Sequence, residues 1–139
     1  ENGTNSRLSE IQAAILNIKI KYLNTFIKRR KKIAEMYNSG IINSKIIKPY
    51  VNQNNKHVYH LYVVASKNRD LILKIMKENK IQLGIQYPYP LHKMLAYKNS
   101  TYSRLKNTEK FSKKIFSLPI YPTLEDSKVK KIINILNRI

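Results

Sequence analysis

Asn5 and Arg7 stand two residues apart in GTNSRLSEIQAAIL (residues 3–16), just before what reads as the start of a long helix. An amide and a guanidinium are both hydrogen-bond donors. Ser9 and Gln12 fit the capping pattern S-x-x-Q, in which the hydroxyl accepts from the Gln12 N–H and the glutamine side chain reaches back. Leu8 occupies the staple position before the cap. Asn5 and Arg7 therefore lie in a tight segment held against a helix start, where a ligand would meet fixed donors. A plain helix cap explains the same residues, and nothing within the segment separates the two readings.

The rest of the chain carries no ordinary enzyme signature. His57, His60 and His92 are its three histidines, and their spacing matches no standard zinc motif. His57 and His60 are three residues apart, so on a strand they point to opposite faces and cannot share a site. His60 reads as a hydrogen-bonded strand histidine. Only 8 carboxylates are present, none paired for acid/base work, and Gly3, Gly40 and Gly84 are isolated rather than gathered in a phosphate loop. The most unusual stretch is YPYPLHKMLAY (87–97). Two prolines stiffen it, and its tyrosines and His92 would make either one wall of a pocket or a structural loop packed by its aromatics.

The elements that position these groups follow from periodicity. Leu8, Ile11, Ile15, Ile18, Tyr22, Phe26, Ile33 and Tyr37 mark one face of a helix from Ser9 to about Ser39, roughly 45 Å long at about 1.5 Å per residue. Gly40 is expected as its left-handed stop. KRRKK (28–32) falls inside this helix and reads as a solvated face. A helix of this length needs a large partner surface, which this chain does not offer. A short strand at Ile46–Tyr50, a turn at 52–55 and a strand at Val58–Ser66 follow. Asn68 then caps a helix burying Leu71, Ile72, Ile75 and Met76. Ile81–Gln86 reads as a second strand, giving a strand–helix–strand unit. A helix from Asn107 or Thr108 carries Phe111, Ile115 and Phe116. SLPIYP (117–122) is stiffened by two prolines. The last helix runs from Leu124 to near Ile139, opened by Thr123 and Asp126 and burying Val129, Ile132, Ile133 and Leu136.

The 139 residues suit one domain with a real core. The chain begins at Glu1 without methionine and reads as a piece of a longer protein. No cysteine is present, which excludes disulfides, thiolate metal sites and a cysteine nucleophile within it. No apolar run approaches a membrane span of about 20 residues, and no signal segment leads the chain, so a cytoplasmic location without membrane contact is expected. The net charge of +19 fits either nucleic-acid binding or the Lys-, Asn-, Ile- and Tyr-rich bias of an AT-rich genome. The lysines are scattered through every segment, which favours bias.

In order, these pieces resemble the C-terminal part of the DegT/DnrJ/StrS family of aminotransferases, which use pyridoxal phosphate (PLP) mostly on nucleotide-linked keto sugars. GTNSRLSEIQAAIL resembles the family's G-x-N-x-R segment leading into a Q-A-A helix, and RRKKIAEMYNSG the end of that helix. HVYHLYVV resembles the first strong strand of the small domain. NRDLILKIMKENKIQLGIQYPYPLH resembles its helix, strand and sugar-facing loop, and FSKKIFSLPIYPTLEDSKVKKIINIL its closing segment. The resemblance spans essentially the whole chain.

It implies an α/β (α+β) small domain of the type I PLP-dependent transferase fold, with a long N-terminal helix and a small sheet flanked by helices. Residues 1–40 would form the phosphate-contacting segment and connecting helix, and residues 41–139 the small domain, with the large PLP-binding domain upstream. The family position of Asn5 reaches the cofactor phosphate of the neighbouring subunit in a homodimer, and Arg7 matches the arginine two residues on. Gln86, Tyr87 and His92 would contact the sugar nucleotide. Many relatives carry histidine where Gln86 stands and glutamine where Met94 stands, which bears on the sugar and leaves the cofactor reading untouched. The Schiff-base lysine belongs to the upstream domain, so this chain carries no catalytic residue and would not transaminate alone. The complete enzyme would take an amino donor such as glutamate and a nucleotide-linked keto-deoxysugar. An inactive truncated relative, or a basic nucleic-acid-binding module, would be the alternatives.

Overall fold

The computed structural model describes residues 7–97 and 99–139; Asn5 lies outside the described residues. The N-terminal apolar stripe folds as two helices rather than one: α1 (Glu10–Lys19) and α2 (Leu23–Gly40), joined by a tighter 3₁₀ turn at Ile20–Tyr22. Ser9 closes the expected capping box, accepting from the Gln12 N–H while Gln12 Oε1 accepts from the Ser9 N–H, both at 3.3 Å. The two halves of the stripe have different fates. Ile33, Ala34 and Tyr37 of α2 are fully buried, whereas Ile11 is 75% exposed and Ile18 62%.

Gly40 ends α2 for a different reason from the one expected. It has no left-handed backbone, and the following Ile41 is extended, with φ −80° and ψ 106°. A side chain at Gly40 would place Cβ 2.8 Å from Cδ1 of Ile133, so the glycine permits close approach of the last helix. Asn137 fastens the same junction, donating to the Gly40 carbonyl at 2.8 Å and accepting from the Ile42 N–H at 3.0 Å.

The central sheet pairs β1 (Tyr62–Ala65) antiparallel with β2 (Ile115–Leu118), Tyr62 opposite Leu118 and Ala65 opposite Ile115. Segments expected as strands on either side add one bridge each, Ile47 to Ala65 and Gly84 to Ser117. Both bridges are antiparallel, so the Gly84 segment runs parallel to β1 with β2 inserted between them. With α3 (Arg69–Glu78) as the crossover, this is a split form of the expected strand–helix–strand unit. Ile115 and Phe116 belong to this inserted strand and not to a helix. The preceding helix, α4 (Lys106–Ser112), is shorter than expected, and the Lys114 N–H turns back to the Phe111 carbonyl before β2 begins.

The last helix, α5 (Asp126–Asn137), buries Val129, Ile132, Ile133 and Leu136 as their spacing requires. Its expected opening by Thr123 and Asp126 does not form. Glu125 occupies the cap position without a side-chain bond, and Asp126 is drawn instead to α2. On α3, Ile72 and Met76 are buried, while Leu71 lies half exposed at 51%. Asn68 stands at the cap position of α3 but makes no side-chain cap bond.

Tyr37, Tyr62 and Phe116 are the largest fully buried side chains of the core. Burial of each such ring contributes about 1.5–3 kcal/mol, provided that its polar atoms find partners. They do. The Tyr37 hydroxyl donates to the Pro119 carbonyl at 2.8 Å and the Tyr62 hydroxyl to Asn38 Oδ1 at 2.6 Å. Burial pushes both hydroxyls well above the ordinary tyrosine range, so they remain protonated donors.

Candidate functional site

Pro88 and Pro90 keep the segment after Gly84 out of helix and sheet, and it descends through two 3₁₀ turns, Leu91–Lys93 and Leu95–Tyr97. The descent leaves a cleft of about 600 Å³ against α4 and the start of β2. Gln86, Tyr87, Tyr89 and Pro90 form its loop wall, and Thr108, Phe111 and Ser112 the opposite wall. The surface is chiefly apolar and aromatic, with the Gln86 amide and the hydroxyls of Tyr87, Tyr89, Thr108 and Ser112 as its polar points. Tyr87 is 78% exposed, free to cover a flat group entering the cleft. The Gln86 side chain folds back over Gly84, where a Cβ would meet its Nε2 at 2.7 Å.

His92 comes from the same loop but turns inward behind the cleft. Only 9% of the residue is exposed. Its Nε2 lies 3.3 Å from Glu109 Oε1 on α4, and its ring sits 4.9 Å from that of Tyr102. Lys93 Nζ approaches the same carboxylate oxygen at 3.4 Å. The His92 hydrogen bond and then the Lys93 charge hold Glu109 below the usual carboxylate range, so it is ionised near neutral pH. Sequence reasoning brought Gln86, Tyr87 and His92 to one loop, and the structure divides them: two line the cleft and one ties its wall to α4. It also adds Phe111, Ser112 and Glu109. Glu109 had one legible signal, as the sole acid of α4 in a chain so short of carboxylates.

Arg7 is exposed, two residues before the Ser9 cap, and makes no ion pair with the described residues. A second cleft of about 690 Å³ lies along the exposed stripe, lined by Leu16, Ile20, Leu23 and Phe26 with Pro122 opposite. Arg30 of the KRRKK run borders it, and the run is a solvated face only in part: Lys28 and Lys32 are exposed, whereas Arg29 and Arg30 turn inward. Arg29 donates to the Leu124 carbonyl and pairs with Asp126 at 2.6 Å. Arg30 Nη1 donates to the carbonyls of Tyr59, His60 and Ile120. His57 and His60 precede β1 instead of lying on it; His57 Nδ1 accepts from the Tyr59 N–H at 2.8 Å. Among the described residues no three metal-ligating side chains cluster, and no helix is long and apolar enough to cross a membrane.

Comparison with known proteins gives this geometry a context. The sequence profile of the DegT/DnrJ/EryC1/StrS aminotransferase family matches residues 1–137. The dTDP-3-amino-3,6-dideoxy-alpha-D-galactopyranose transaminase of Aneurinibacillus thermoaerophilus is 39% identical over 136 residues, covering 98% of this chain and 38% of the relative. The UDP-2-acetamido-2-deoxy-3-oxo-D-glucuronate aminotransferase of Pseudomonas aeruginosa is 32% identical over 130 residues, covering 94% of this chain and 36% of that protein. Among solved structures, S. venezuelae DesV in complex with a ketimine intermediate superimposes with a TM-score of 0.90 at 32% identity, over 98% of this chain and 38% of DesV. The chain thus spans somewhat over a third of the length of the relatives it matches.

Proposed function

The chain belongs to the DegT/DnrJ/EryC1/StrS aminotransferase family, and on that premise we propose that it is the C-terminal portion of a PLP-dependent sugar aminotransferase. The complete protein would move an amino group from a donor such as glutamate to the keto group of a nucleotide-linked deoxysugar. Residues 1–40 connect to a large upstream domain, and residues 41–139 form the small domain. The observation that carries this reading is the likeness to sugar aminotransferases along the whole chain. The exposed apolar face of α1 supports it. Ile11, Ile15, Leu16 and Ile18 point outward over two turns, and an upstream domain would bury that face at about 25 cal/mol per Å².

PLP, when bound, supplies the electron sink for the carbon that loses or gains the amine. This chain's donor set fits one end of that group. Arg7 offers a guanidinium with no competing carboxylate among the described residues, and Asn5 offers a neutral amide two residues away. Both would hold the phosphate of the neighbouring subunit's cofactor across a homodimer interface. Gln86 and Tyr87 would orient the sugar nucleotide, Tyr87 by its ring face and Gln86 by its amide. His92 would keep the loop beneath them in place. The proton-moving lysine belongs to the upstream domain, and the protein would work in the cytoplasm.

The test uses the complete protein. With PLP and L-glutamate the cofactor absorbance should shift to that of its amine form. Asn5→Ala should weaken PLP retention by about tenfold, the worth of one hydrogen bond to a charged group, most visibly on dilution. A complete protein that lacks an upstream lysine domain, or that does not take up PLP, would refute the reading.

A further inference from the structure

Behind the 600 Å³ cleft, the His92–Glu109 contact ties the loop that forms one wall to the helix that forms the other. His92 follows Tyr87, Tyr89 and Pro90 on the loop wall, and Glu109 lies between Thr108 and Phe111 on the opposite wall. Among the described residues, the charged and aromatic groups at the imidazole are the Glu109 carboxylate of α4 and the Tyr102 ring, with the Lys93 ammonium against the same carboxylate. The imidazole is buried and the carboxylate is partly shielded, with side-chain exposures of 6% and 37%. At 3.3 Å the contact is longer than the shortest charge-assisted bonds. Lys93 of the loop reinforces it with a second link to the same Glu109 carboxylate oxygen, at 3.4 Å. The loop holds one 3₁₀ turn around His92, and α4 is seven residues long with no buried residue. Neither fixes the width of the cleft without a cross-tie.

We propose that Glu109 is a positioning residue for the amino-acceptor side of the reaction: through His92 it sets where the 86–92 loop stands, and so the shape of the cleft that receives the sugar nucleotide. This rests on the aminotransferase reading above. Glu109 touches neither cofactor nor reacting atoms in this scheme. Lys93 shares its charge and limits the loop's travel in the same direction. The donor side of the reaction, in which a small amino acid meets the cofactor, would not depend on the loop.

The complete protein, wild type, Glu109→Ala and Glu109→Gln, is assayed in two half-reactions by cofactor absorbance. One uses L-glutamate as amine donor. The other uses dTDP-3-amino-3,6-dideoxy-α-D-galactose, the amino sugar named for the Aneurinibacillus relative, run in the reverse direction. Hydrogen exchange across residues 86–97 is followed in the same variants. Glu109→Ala is expected to raise KM for the amino sugar about tenfold with glutamate KM within about twofold, and to speed exchange in 86–97 while α5 is unaffected. Glu109→Gln, which keeps an acceptor for His92, should recover part of the loss. A parallel fall in both half-reactions, or no change in either, overturns the proposal. Should the wild type use glutamate but not this sugar, the exchange decides: faster exchange confined to 86–97 supports the tie, and unchanged exchange overturns it. Failure of the wild type with glutamate refutes the aminotransferase reading itself, independently of the variants.

Discussion

Nη1 of Arg30 donates to the Ile120 carbonyl at 2.8 Å, joining the middle of α2 to the proline-stiffened segment that leads into α5. The same nitrogen lies 3.1 Å from the Tyr59 carbonyl and 3.0 Å from that of His60, where the chain turns before β1. Tyr59 has φ 52°, a left-handed backbone that costs a residue with a side chain about 1–2 kcal/mol. One guanidinium thus collects three carbonyls from two loops, one of them strained, and holds both against α2.

Arg30→Lys should therefore be far from conservative. A lysine keeps the charge but ends its shorter, more flexible stem before the position of Nη1, and that stem must be ordered anew to reach the three carbonyls. The expected loss is about 2 kcal/mol, the scale of a hydrogen bond to a charged group together with a stranded carbonyl. Urea unfolding checks it as a lower midpoint at unchanged slope. A change below about 0.5 kcal/mol would mean that the loops are held by their apolar contacts alone.

That clamp also marks where the sequence was legible and where it was not. The buried faces of α2 and α5 could be read because an apolar residue returns every three or four positions, and Ile33, Tyr37, Val129 and Leu136 are where that period puts them. The capping box at Ser9 was legible for the same local reason. β2 was not. Phe111, Ile115 and Phe116 mimic a helical face, and only pairing with Tyr62–Ala65, some fifty residues away, settles the strand. Within KRRKK, Lys28 and Lys32 are solvated as expected, but Arg29 and Arg30 are not, because charge implies water unless the acceptors are known. Their acceptors are carbonyls and a carboxylate near residues 59, 120 and 126, and no local pattern brings them near α2. Of the cleft, the resemblance set Gln86 and Tyr87 on one loop with His92, and both line its wall; Glu109 stood out only as the sole acid of α4, and its contact with His92 follows from how α4 packs against the loop.

Lys80 offers a test of local geometry in the other direction. Its N–H bonds the Lys77 carbonyl and the following Ile81 N–H bonds the Met76 carbonyl, both at 2.9 Å, which is the Schellman end of a helix. The residue at that position has φ 60°, where glycine is the usual choice. Lys80→Gly should stabilise the chain by about 0.5–1 kcal/mol, relief of the left-handed strain outweighing the extra freedom glycine has when unfolded. A raised urea midpoint checks it. A lowered one would show that the aliphatic stem of Lys80 packs more usefully than its backbone is strained.

Asp126 gives the fold a pH dependence whose sign follows from its partners. Arg29 and then Lys32, at 2.6 and 3.1 Å, hold its carboxyl below the ordinary value of 3.8. A group whose folded pKa is depressed contributes stability above its unfolded pKa and loses it as pH falls through the folded one. The contribution should thus be complete at neutral pH and disappear in acid below about 4. Asp126→Asn removes the charge at every pH. The stability gap between wild type and variant should be open at pH 7 and close as the wild type is titrated into acid. Because the pair is partly exposed, molar salt should narrow the gap at pH 7 as well. Thermal unfolding at pH 7 and pH 3, with and without 1 M salt, measures both effects. A gap that persists unchanged at pH 3 would mean that Asp126 acts through its shape at the start of α5, and that the tie between α2 and α5 rests on the Arg29 bond to the Leu124 carbonyl and on Ile133 against Gly40.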